Sequence, residues 1–505
     1  MEKDVPNHKE VIVQPEKPNN NSEIDTTRER LLTSKKLSIL QKRSGESEGL
    51  LSRHIKKTKR DKNSIKDFIW SEEVSLSETI PSPAEEVSLP QTSPTEAARN
   101  ESNKPTTIDN WLVWVMAVSC GLTAANLYYM QPLLADMGRS FAVSINQIGF
   151  TATLGQLGFA SGLILIVPLG DKYNQRTLIV STLCILAVAL TAMAFVQTIV
   201  LLSIASYAVG LTTVIPELII PFAVSLAPSN ERGRIAGTTL SGLLIGILLA
   251  RTVGGFVGEH LGWQAMYWIA TAMMILLAAA LRFLLPTDSS LKRKMSYPRL
   301  LSSLWGLLRS EPVLQEISIF GALAFASFNA FWVTLSFFLE TPPYHYGSEV
   351  AGLFGLVSIA SALTAPAVGK FADRRDARLA NGVALAAILF SFVVMWLTGQ
   401  WLIGLIPGVI LLDVGVQVTQ VSNQARLYSL NPAARNRSNT VYMFMFFLGG
   451  SLGSLLGTFG WSVAKWNGVC AVACFLLIVG LGFYILNGRH IRRWKKRHEL
   501  ELCVP

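Results

Sequence analysis

From Trp111 onward the chain alternates long apolar runs with short polar connections. Twelve runs can be marked, at 111–134, 145–168, 177–196, 199–226, 236–258, 263–285, 313–339, 349–369, 379–399, 402–428, 438–460 and 467–487. About 20 predominantly apolar residues in a helix cross a bilayer core, and each run has that length. A helix apolar on every side is a buried or membrane-spanning one. The pattern predicts an all-α membrane protein with twelve transmembrane helices.

The first 105 residues break the pattern. They hold no apolar stretch able to form a core and no n-region, h-region and cleavage site of a signal peptide, so they read as a disordered tail. The tail is divided: 28–66 is basic, with K-K-T-K-R-D-K at 56–62, and 67–105 is acidic and rich in Ser and Pro. Leu31, Leu32, Leu37 and Leu40 followed by Leu50, Leu51 and Ile55 would let the basic part lie on anionic lipid; a solvated tail is the plainer reading. With no nucleic-acid-binding fold beside the Lys cluster, nucleic acid is not an expected partner.

Charge then orients the spans. The chain is 50% hydrophobic and 15% charged, and its net charge of +10 falls entirely beyond the tail, whose 18 basic and 18 acidic residues cancel. Basic residues gather in alternate connections, at Lys172, Arg176, Arg232, Arg234, Lys292 to Lys294, Lys370 to Arg378, Arg435 and Arg437, and in the tail Arg489 to Arg497. The other connections offer little beyond Arg139 and Lys465. By the positive-inside rule both termini are cytoplasmic, and the cell membrane is the expected location. Cys120, Cys184, Cys470 and Cys474 sit in apolar runs, so neither a disulfide framework nor a metal site is indicated. No Walker-type loop and no nucleophile–base–orienter set is present; ATP hydrolysis, enzymatic catalysis and a bound cofactor are not expected.

The chain also repeats itself. At a spacing of 203 residues A-A-N-L-Y-Y (124–129) falls on S-F-N-A-F-W (327–332), E-R-G-R (231–234) on A-R-N-R (434–437), Gly246 on Gly449 and Trp263 on Trp466. At 202, P-L-G-D-K-Y-N-Q-R (168–176) falls on K-F-A-D-R-R-D-A-R (370–378). The expected organisation is the tail, a six-helix half over 106–286, a linker over 287–312, a second half over 313–488 and a basic tail over 489–505. Parallel halves of this kind are one architecture of secondary transporters, with the substrate site near the midplane between them. Asp171, Lys172 and Arg176, with their counterparts Asp373, Arg374 and Arg378, are placed to form charge-assisted links that gate one side. As plain positive-inside loops they would explain the Lys and Arg but not the paired Asp.

The same loops resemble the G-x-L-A-D-R-x-G-R-R motif of the major facilitator superfamily, in the 2–3 and 8–9 connections where that family carries it. Asn174 and Asp376 replace the Gly of its left-handed turn, a conformation these two residues tolerate best among non-glycines. N-L-Y-Y-M-Q-P-L-L (126–134), S-G-L-L-I-G-I-L-L-A-R-T-V-G-G (241–255), D-V-G-V-Q with S-N-Q (413–424) and R-N-R-S-N-T-V-Y-M (435–443) extend the resemblance to a bacterial branch of drug:proton antiporters and predicted sugar-efflux permeases. Two features depart from the antiporters. Ala250-Arg251 stands where their fifth helix has Gly-Pro, and Ser206 stands where their fourth has an Arg.

In that family helices 1, 4, 7 and 10 line the cavity, and those runs here carry the polar groups: Asn126, Tyr129 and Gln131; Glu217; Asn329 and Trp332; Asp413, Gln417, Gln420, Asn423 and Gln424. Positions 413, 417, 420 and 424 form one helical stripe. Glu217 lies ~14 Å from the cytoplasmic end of its run, near mid-membrane, between Pro216 and Pro221, which would bend the helix. An acid at that depth is a candidate for loading a proton or cation; the alternative is a protonated residue bonded between helices. Arg251 and Asp413, each ~22 Å deep, either pair across the two halves in one state or each serve their own half. Aromatics Tyr128, Tyr129, Phe331 and Trp332 either stack on substrate or simply pack.

The resemblance implies a monomeric transporter that moves a small-molecule substrate by alternating access, with efflux in exchange for protons as the expected mode. A facilitator or proton-coupled importer is the nearest alternative, and a non-transporting sensor that signals through its tail is the alternative of another class.

Overall fold

The computed structural model describes residues 109–228, 230–286, 297–358, 376–430 and 435–488, with helical backbone continuing to Leu502. The tail over 1–105, residues Asp373 and Arg374, and the basic side chains from Arg489 lie outside this description, as does the side chain of Asp171.

The protein is all-helical. The first six spans are α1 (Asn110–Ser140), α2 (Ile145–Gly170), α3 (Gln175–Phe195), α4 (Ile199–Leu226), α5 (Arg232–Leu261) and α6 (Trp263–Leu284). An amphipathic helix, Tyr297–Ser310, lies within the connection to the second half. There follow α7 (Pro312–Glu340), α8, described over Ser348–Ser358, α9 (Ala377–Thr398) and α10 (Leu402–Tyr428). The last helical stretch turns at Ala464 and Lys465, whose backbone is non-helical, and so divides into α11 (435–463) and α12 (466–488). Val188, Leu276, Phe283 and Leu397 point out of the bundle, forming the apolar perimeter that a bilayer covers.

The sequence repeat reappears as packing. A Cβ placed on Gly246 of α5 would lie 2.3 Å from the backbone of Gly121 on α1, and one on Gly449 of α11 would lie 2.2 Å from the Ala322 carbonyl on α7. Equivalent small residues thus let equivalent helix pairs meet backbone to backbone in each half. Only hydrogen fits at such an approach.

One local expectation is corrected. Asn174 and Asp376 do not adopt a left-handed turn: φ is −61° and −59°, and each is an extended N-cap, of α3 and α9. Asn174 Oδ1 accepts the Thr177 N–H at 3.3 Å, and Asp376 Oδ1 accepts that of Arg378 at 3.0 Å. A side-chain oxygen reaches the first-turn amides only from extended backbone, so capping decides the conformation.

α1 and α4 are not uniform. At Asn126–Tyr129 and Thr213–Ile215 the helix tightens, with amides bonding three residues back: Leu127 to Ala124 at 3.2 Å, Glu217 to Val214 at 3.0 Å and Leu218 to Ile215 at 3.0 Å. N-L-Y-Y and T-V-I-P are the sequences of these joints. α7 and α10, their counterparts in the second half, run unbroken.

Candidate functional site

A cavity with about 160 Å³ open to water lies between the halves, walled by α1, α2, α4 and α5 of the first and by α7, α8, α10 and α11 of the second. Its polar groups are Glu217, Arg251, Ser358, Asp413, Gln417 and Gln420, with the edge of Tyr128. The rest is apolar, including Phe159, Phe325, Phe328, Phe446 and Phe447. The Phe159 and Phe447 rings meet across the two halves with centroids 4.1 Å apart.

Glu217 sits in the first turn after the α4 joint, with Pro216 at the helix start where its missing N–H costs nothing. A carboxylate there faces the positive end of the helical dipole. It is half-buried, turned to the cavity, and no ion pair engages it among the described residues. Gln420, its counterpart 203 residues on, lines the same cavity.

Arg251 and Asp413 both reach this cavity but form no ion pair. The Arg251 guanidinium lies 3.9 Å from the Trp332 ring centroid, 5.1 Å from that of Tyr128 and 5.6 Å from that of Phe328. Its Nε donates to Gln131 Oε1 at 2.7 Å. The charge is thus held by π faces and one amide, and it crosses between the halves to aromatic rings rather than to the acid. Asp413, 4% exposed, lines the same cavity.

The other sequence candidates separate. Asn126 and Gln131 line a smaller chamber beside the cavity. Tyr129 turns instead to an apolar groove between α1, α5 and α6. Asn329 is buried, its amide donating to the Phe325 carbonyl at 3.1 Å. Asn423 joins an interhelical knot, accepting from Asn381 and donating to the Ile317 carbonyl at 3.1 Å. Gln424 is half-buried outside the cavity lining. Among the described residues no group of three or more His, Cys, Asp or Glu is placed to hold a metal ion.

Of the loop charges, Lys172 is exposed with its amine 5.5 Å from the Tyr173 ring centroid, and Arg176 is half-buried. Arg378 is committed within its own half: it pairs with Glu316 at 2.9 Å and donates to the Tyr484 carbonyl at 2.5 Å. Glu316 is fully buried and also pairs with Arg426. That triad was not among the sequence candidates. Glu316 lies four residues into α7 and Arg426 two from the end of α10, so matching depths from the basic end would have paired them.

At the end away from the basic connections, polar bonds tie the halves together. Arg139 pairs with Glu340 at 2.6 Å, and Glu259 accepts the Ser348 backbone N–H at 2.9 Å at the start of α8. Nearer mid-membrane, Thr252 donates to the Gly352 carbonyl at 3.1 Å. Gly255 makes the approach possible, since a Cβ there would lie 2.3 Å from the Ser348 carbonyl. The segment in which Ala250-Arg251 replaces Gly-Pro therefore seals α5 against α8.

Residues 116–454 match the model of the Major Facilitator Superfamily. The chain belongs to that family. Over 370 residues it is 37% identical to the uncharacterized transporter YgaY of Escherichia coli O157:H7, covering 73% of this chain and 94% of the relative. A bacterial homolog of the human lysosomal transporter Spinster, in an inward-facing and unoccupied conformation, superposes with a TM-score of 0.61 at 15% identity, covering 77% of this chain and 98% of that one. The nucleoside transporter NupG superposes at 0.62 with 16% identity, covering 75% and 99%. At those identities the likeness is one of fold. As a member of this family the protein is a multi-pass membrane transporter.

Proposed function

We propose that the protein exports a small amphipathic solute in exchange for protons, alternating access to the central cavity across the cell membrane with both termini in the cytoplasm. The observation that carries this reading is Glu217: an acid at a helix joint, turned to the cavity, with no counter-ion committed to it among the described residues. A carboxyl so placed can exchange its proton for a substrate that offers a cation or hydrogen-bond donor. The cavity runs from the Arg251 level toward Leu243, Gln420 and Met443, nearer the basic end, while the Arg139–Glu340 and Glu259–Ser348 ties lie at the opposite end. The arrangement corresponds to an inward-facing state. The mixture of Phe rings with Asp413, Gln417 and Gln420 suits a solute with an apolar body and a polar head.

The test is the internal pH of proteoliposomes when members of a solute and drug panel are added, comparing wild type with Glu217→Gln. A compound that drives proton flux in wild type and not in the variant supports coupling through Glu217. A compound carried equally by both without proton movement makes the protein a facilitator and refutes the proposal.

A further inference from the structure

Behind the central cavity, within the first half and toward the end away from the basic connections, lies the separate chamber, with about 20 Å³ open to water. Asn126 and Gln131 of α1, Gln156 of α2, Ser206 of α4 and Tyr267 of α6 line it, and Val333 of α7 closes it. Each of the five polar residues is 4% exposed or less. Four of them present an atom without a hydrogen-bond partner among the described residues: Asn126 Oδ1, Gln131 Nε2, Gln156 Oε1 and Tyr267 Oη. The opposite ends of two of these side chains are already committed. Asn126 Nδ2 donates to the Leu122 and Thr123 carbonyls at 3.0 Å, and Gln131 Oε1 accepts from Arg251 at 2.7 Å. Those bonds fix which end of each amide faces the chamber.

Buried polar groups are hydrogen-bonded as a rule, and four unmet ones around one small space call for a ligand. The inventory is two acceptors, Asn126 Oδ1 and Gln156 Oε1; one donor, Gln131 Nε2; and the Tyr267 hydroxyl, which serves as either. Water offers two donors and two acceptors and complements this set. A cation does not suit it, because the Arg251 charge is one amide away. The space takes about one ordered water, which needs ~10–15 Å³ of such room, and no solute of the size the central cavity admits.

We propose that this chamber is a hydration site, in which ordered water bridges Asn126, Gln131, Gln156 and Tyr267. By engaging Gln131 Nε2 the water keeps the Oε1 of the same amide turned to Arg251. The proposal is independent of the direction or coupling of transport.

Millisecond X-ray radiolysis of the full-length protein in nanodiscs, read by mass spectrometry, tests it, because hydroxyl radicals form from water beside the side chain. Tyr267 and Tyr442 are both buried, 1% and 0% exposed, but only Tyr267 faces the chamber. The expected result is Tyr267 oxidation several-fold faster than that of Tyr442, and slowed several-fold by Gln156→Leu. Equal rates at the two tyrosines, or no response to Gln156→Leu, overturn the site. Should Gln156→Leu not fold, Tyr267→Phe decides by thermal unfolding. A hydrated chamber loses a bond and the midpoint falls; a dry one loses an unmet hydroxyl and the midpoint rises, which overturns the proposal.

Discussion

Replacing Gly255 by Ala should push the protein out of the state described here. A Cβ at 255 would sit 2.3 Å from the Ser348 carbonyl and 2.9 Å from Gly352 Cα, whereas ordinary contact begins at 3.4 Å. α8 must therefore withdraw from α5 by about 1 Å, lengthening the Glu259–Ser348 and Thr252–Gly352 bonds. Forcing one methyl into a packed interface costs about 1–3 kcal/mol. That cost falls only on the state in which α5 and α8 touch, so the equilibrium shifts by roughly 5- to 150-fold toward the form open at the Arg139–Glu340 end. Spin labels at Gln264 and Trp401, exposed positions in opposite halves at the end away from the basic connections, report the separation by pulsed electron resonance in a cysteine-free background. Gly237→Ala is the control, on the same helix with nothing within 4 Å of its would-be Cβ. The expected outcome is a longer distance population for Gly255→Ala alone. If both variants match wild type while remaining folded, the α5–α8 contact does not hold the closure.

Glu316→Gln should be severely destabilising, by about 3–5 kcal/mol, because it leaves Arg378 and Arg426 without their buried counter-charge; thermal unfolding measures it, and a change under 1 kcal/mol would refute the triad's role. By contrast Glu340→Gln should cost ~1 kcal/mol or less, since its partner Arg139 is 62% exposed, and the effect should fade in high salt. Trp332→Leu removes the closest face over Arg251 and should lower stability by roughly 1–2 kcal/mol, with Trp332→Phe retaining part of it; equal losses for the two would show that packing rather than the π face matters.

Twelve spans, two halves and the inward set of Glu217, Arg251, Asp413, Gln417 and Gln420 were legible because apolar length, charge asymmetry and internal repeat are properties of the chain itself. Helical period alone does not say how far a stripe reaches, so Gln424 and Asn423 were grouped with residues that face the cavity when one lies beyond it and the other knots three helices. Asn126 and Asn329 correspond by repeat yet face different surroundings, because only α1 tightens at that level. Polar residues drew attention to the site, and for that reason its phenylalanine wall went unseen: in an apolar run a cavity-facing Phe looks like any core residue. The cross-half ties at Glu259 and Ser348 depend on which loops meet in one state, which no local pattern records.

The tightened turns at 126–129 and 213–215 divide mechanical labour between the halves. Short-span turns inside long helices leave carbonyls without their usual partners and mark places where a rod can flex. Of α1, α4, α7 and α10, only the two in the first half own such joints; α7 and α10 each run as one continuous helix, α10 through Pro407. The protein resembles a jaw working against an anvil, the jointed half bending around the cargo and the unbroken half giving it a surface to close on. Amide hydrogen exchange should follow that division, fastest at the joints of α1 and α4 and slow at the matching levels of α7 and α10.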